Sequence, residues 1–136
     1  MKLKTFIIYL SISILGVISI LLPVFILADL KQYDSPLFPL IRTAIEGISL
    51  WSVGFLFLAG FVMRLIFKLS GWKIGLMTMA LFPLLAVSEI IVDSSSHNML
   101  PFEIIFYGIL TIPAIFGAYS SQGIQVIFLK LKSGSL

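Results

Sequence analysis

The sequence contains no cysteine, a single histidine and few charged residues. Each shortage removes a class of chemistry. Without cysteine there are no disulfide staples, no thiol redox couple and no thiolate metal site. One histidine rules out a haem held by two histidines of the same chain. Lysines sit at the ends of apolar stretches or between them, so none is placed to form a buried Schiff base. No phosphate-binding loop, nucleophile elbow or zinc-protease motif is present. Ser94, Ser95 and Ser96 neighbour His97, but no orienting acid or oxyanion donors accompany them, so hydrolysis is not expected. Neither an enzymatic function nor a cofactor is indicated.

What remains is mostly hydrocarbon. Apolar residues make up 60% of the chain and charged residues 11%, against about 45–50% and about 25% in soluble domains. So much apolar surface would drive aggregation in water, and a lipid bilayer is the partner that suits it. The net charge of +3 does not imply nucleic acid, because the basic residues form no patch with interleaved aromatics.

Four apolar stretches are long enough to cross a hydrocarbon core of about 30 Å. The first runs from Thr5 to Ala28 behind Lys2 and Lys4. It exceeds the about 7–15 residues of a signal-peptide core, so an uncleaved first helix is expected. After the polar link Asp29 to Pro39, Asp34 or Ser35 is placed to cap a second helix, with Pro36 in its first turn. Periodicity from Leu37 through the run Gly47–Met63 predicts one helix over 37–67, about 45 Å long. That is longer than the hydrocarbon, so the turns carrying Arg42 and Glu46 should project, tilt or lie at the interface. A short turn with Gly71 and Trp72 leads to a third helix over 74–93. The polar segment Asp93 to Asn98 precedes a fourth over 101–129, with Pro101 in its first turn. Pro23, Pro83 and Pro113 lie inside helices one, three and four and predict kinks, since each removes one backbone donor.

The charges orient these crossings. Lys2, Lys4, Arg64, Lys68, Lys73, Lys130 and Lys132 fall on one side, and only Lys31 and Arg42 on the other. All six acidic residues accompany that second group. Basic residues mark the cytoplasmic face. The expected fold is thus an all-α integral membrane protein, a four-transmembrane-helix bundle with both termini cytoplasmic, suited to a bacterial inner membrane.

Two constellations could carry function. Ala114, Gly117, Ala118 and Ser121 recur at helical spacing on one narrow face of the fourth helix, where small residues let another backbone approach closely. The second constellation is polar. Glu89 and Asp93 share a helical face, His97 would continue it, and Glu103 opens the fourth helix nearby. Carboxylates with one imidazole could bind a divalent cation or relay protons, leaving the identity of any metal open. Glu89 stands apart, about 24 Å above Lys73 at about 1.5 Å per residue, still within hydrocarbon reach. Candidate partners for it are Arg42, Tyr107, Ser88 and Thr111, unless Arg42 pairs with Glu46.

These features point to a non-enzymatic accessory, assembly or interaction protein acting through helix contacts in the membrane, with another membrane protein or a second copy as partner. The alternative is an oligomeric small transporter or channel subunit with Glu89 as its ion- or proton-binding group.

Overall fold

A computed structural model of the chain describes residues 3–27, 35, 37–94 and 100–133. Six helices and no strand occur among the described residues: α1 (Leu3–Leu27), α2 (Pro39–Glu46), α3 (Leu50–Ile66), α4 (Gly71–Met79), α5 (Leu81–Val92) and α6 (Leu100–Lys132). Three spans are long and apolar enough to cross a membrane: α1, α4 with α5, and α6. A fourth crossing is made if α2 and α3 count as one bent span. The apolar length of these helices is that of a membrane-embedded protein.

The single helix expected over 37–67 is divided. α2 and α3 meet at 105°, with Gly47–Ser49 between them. The Gly47 N–H closes α2 on the Thr43 carbonyl at 3.0 Å. Ser49 is then extended, and its N–H donates to Ser52 Oγ at 3.4 Å as the next helix begins. Hydrogen bonds on either side of the bend thus close one helix and open the next. The surplus length predicted for this segment is thereby folded aside. α2 also begins at Pro39 rather than near Leu37, with Phe38 at its N-cap; Asp34 and Pro36 lie outside the described residues.

The prolines act unequally. α1 and α6 run unbroken through Pro23 and Pro113, whereas the span containing Pro83 is interrupted at Ala80. Pro83 offers no N–H to the Met79 carbonyl, and just before it the Ala80 N–H turns tightly onto the Met77 carbonyl at 3.3 Å. The Met77 carbonyl also accepts the Ser13 hydroxyl at 2.7 Å, tying α1 to this point. The third helix starts earlier than expected, at Gly71, and the fourth continues to Lys132.

Packing is led by α6, which lies antiparallel to α3 and against α4 while touching α5 sparsely. A β-carbon on Gly60 would strike the Ala114 carbonyl, and one on Gly117 the Phe57 carbonyl. α1 crosses α4 in the same way, Gly16 lying over the Thr78 carbonyl. Lipid tails are as apolar as leucine, so burial alone does not drive these contacts; close van der Waals packing does. The principal core, around Ile20, Leu56, Met79, Phe82 and Leu110, draws on α1, α3, α4, α5 and α6. Large apolar residues such as Ile14, Leu58, Leu84 and Phe116 point outward.

Candidate functional site

Away from the chain termini, α5 and α6 touch only sparsely, and α2 contributes a third wall. The result is an open cleft of about 740 Å³ walled by these three helices. α2 contributes Phe38 at its N-cap and then Ile41, Arg42, Ile45 and Glu46. α5 contributes Phe82, Leu85, Ala86 and Glu89, and α6 contributes Phe102, Glu103, Phe106 and Tyr107. A cleft of this size, mostly apolar with a few convergent polar groups, has the character of a small-molecule site.

Glu89 is the most deeply placed of its charges, with 4% of its surface exposed. One carboxylate oxygen accepts the Phe38 N–H at 2.9 Å and the hydroxyl of Ser35. The same N–H also approaches Ser35 Oγ at 3.1 Å. The carboxylate thus sits at the start of α2, where unsatisfied N–H groups and the helix dipole favour a negative charge. This geometry supplies a structural reason for an acid so far up α5. It also fastens α2 to α5 across the cleft.

The remaining polar groups form local pairs. Arg42 Nε lies 3.5 Å from Glu46 Oε1, one turn along α2, with the two side chains 29% and 42% exposed. The Tyr107 hydroxyl donates to Glu103 Oε2 at 3.5 Å, and the Tyr107 ring packs on Phe82 with centroids 5.7 Å apart. Ser88 and Thr111, named as possible partners of Glu89, instead donate to backbone carbonyls of their own helices, at Leu84 and Gly108, both at 2.7 Å. Sequence reasoning placed Ser35 as a helix cap but did not connect it to Glu89; the two lie 54 positions apart, and no local pattern links them.

Of the polar constellation, Glu89 and Glu103 line the cleft, while Asp93 is exposed at the end of α5. The Asp93 N–H closes α5 on the Glu89 carbonyl at 2.8 Å. His97 lies outside the described residues. Among the described residues no group of three or more histidine, cysteine, aspartate or glutamate side chains could hold a metal ion.

The small-residue face has a definite neighbour. Ala114, Gly117, Ala118 and Ser121 are all buried, with Gly117 seated against Phe57 and Phe61 of α3 and Ala114 against Gly60. This face is therefore consumed inside the chain, and it offers no free surface to a partner. Gly16 of α1 packs on α4, against the Thr78 backbone. Compared with known protein families, with curated proteins and with solved structures, the chain matches none.

Proposed function

We propose that this chain is a four-crossing integral membrane protein, with both termini cytoplasmic in a bacterial inner membrane, and that it works by recognition rather than catalysis. The 17 residues of α3 reach about 26 Å, the short limit of a crossing segment. Four antiparallel rods return the chain to the side on which it began, and the seven-to-two bias of basic residues assigns that side to the cytoplasm. Its role is that of an accessory, assembly or interaction protein acting within the membrane. The observation that carries this reading is the cleft of about 740 Å³ between α2, α5 and α6, set beside a small-residue face already occupied by α3. The cleft, not that face, is the recognition surface.

Site-specific photo-cross-linking in native membranes tests this. A photoreactive residue in place of Phe106, on the cleft wall, should yield a discrete adduct by mass. One in place of the outward-facing Ile112 should yield only lipid. Identical products at both positions would reject the cleft as a working site.

A second reading is favoured by the burial of Glu89 on the cleft wall: a transporter or channel subunit with Glu89 as the ion- or proton-binding group. Backbone contacts at Gly16, Gly60 and Gly117 close the middle of the bundle, so this version requires an oligomer to provide a path. Native mass spectrometry should then show a multimer, and ion flux in proteoliposomes should fall on Glu89→Gln. A monomer with unaltered flux would eliminate it.

A further inference from the structure

We propose that the occupant of the cleft is a hydrophobic organic monocation, an inference that rests on the cleft being the recognition surface. Size is the first argument. About 740 Å³ accommodates a small molecule, whereas a partner's transmembrane helix would need a groove running the height of the bundle. Here the lining spans only Phe82–Glu89 of α5 and Phe102–Tyr107 of α6, about two turns of each helix.

Charge is the second. Three carboxylates, Glu46, Glu89 and Glu103, line the cleft against one guanidinium, Arg42. That guanidinium is already engaged with Glu46. An anion would have to compete for Arg42 while facing the other acids, in surroundings where charge interactions are several times stronger than in water. A cation meets the opposite balance. The third argument is the character of the walls. Phe38, Phe102, Phe106 and Tyr107 bring aromatic rings to the same recess, and ring faces attract a desolvated organic cation while also packing its apolar body. A divalent metal ion is a poorer fit, because the described acids are too dispersed to chelate one.

The test uses two ions of the same shape and opposite charge. The full chain in nanodiscs of zwitterionic lipid is equilibrated with labelled tetraphenylphosphonium or with tetraphenylborate. The expected result is saturable uptake of the cation at one site per chain, with the anion taken up only in proportion to lipid. Glu103→Gln, which keeps an acceptor for Tyr107, should weaken cation binding about tenfold. Phe106→Ala should weaken it about fivefold. Gly123→Ala, at an exposed site with open space around the added methyl, should leave it unchanged.

Non-saturable uptake, equal uptake of the two ions, or indifference to both cleft substitutions would overturn the proposal, provided circular dichroism shows the variants folded. Failure of this inference is separable from failure of the broader reading. A discrete cross-linked adduct at Phe106 that proves to be a protein or an uncharged lipid keeps the cleft and removes the cation. The absence of both adduct and saturable binding removes both.

Discussion

Midway along α1 and α6 the helices meet backbone to backbone, with Gly16 over Thr78, Gly60 over Ala114 and Gly117 over Phe57; toward the start of α6, α2, α5 and α6 stand apart and are joined by side chains around a cleft. The first half has no room to adjust, since a single added methyl would strike a carbonyl oxygen in a neighbouring helix. The second half is held by directional bonds, chiefly those from Ser35 and Phe38 to the Glu89 carboxylate. The difference teaches how a small bundle can be rigid and open at once. Close packing in the middle sets the positions of the helices, so that a few hydrogen bonds suffice to shape the recess toward the start of α6.

Substitutions of three kinds sharpen or break this contrast. The largest effect should come from the closed half. Gly60→Leu or Gly117→Leu should cost about 3 kcal/mol or more, because backbone cannot yield as a side chain can. Gly54→Leu, where nothing lies within 4 Å of an added Cβ, should be close to neutral. Thermal unfolding in mild detergent distinguishes them, and equal losses at Gly54 and Gly117 would mean that the crossing is not what holds the bundle.

An intermediate effect is expected at the open end. Glu89→Ala leaves the Phe38 N–H and the Ser35 hydroxyl without their acceptor and should cost about 1–3 kcal/mol, whereas Glu89→Gln retains an oxygen and should cost less. Hydrogen exchange provides the local readout. Amides of α2 should lose protection in Glu89→Ala while those of α3 and of the Gly117 region of α6 keep theirs. Uniform loss along the chain would show the two halves to be one cooperative unit.

The smallest effect belongs to Arg42→Ala. Its pair with Glu46 is partly exposed and lies within one short helix, so stability should change by under about 1 kcal/mol. If Arg42 instead proved as costly as Glu89, its role would extend across the cleft.

Much of the architecture was legible because lipid imposes simple rules. Apolar runs of sufficient length must be helical, since every backbone group has to be satisfied internally, and the runs containing Pro23 and Pro113 obeyed this without interruption. The break between α2 and α3 was also written in the chain, as Gly47 followed by Ser49, but the apolar periodicity on both sides concealed it. Periodicity reports which face is buried and is blind to a change in axis direction. The small-residue stripe was readable as a packing face for the same local reason: four positions at helical spacing need only one helix to be seen together.

The cleft was less accessible. Glu89 was singled out by its depth, and Glu103 and Arg42 by their charge, yet the partners assigned to Glu89 along the sequence did not include the Phe38 N–H. That donor becomes available at a helix start, and the start lay at Pro39 because the chain turns there. Burial of an acid in a membrane protein invites a functional explanation, and the geometry supplies a structural one that stands beside it.

By itself, then, the sequence determined the helical class, the apolar spans, the distribution of charge between their ends and the face on which α6 would pack. Each follows from local composition or from a period along one helix. Only the tertiary structure decided that the stripe on α6 meets α3 of the same chain, that α2 turns 105° from α3, and that Glu89 caps it. These depend on the relative placement of helices remote in sequence, which is set by close backbone contact and hydrogen bonding rather than by the apolar pattern that makes each helix.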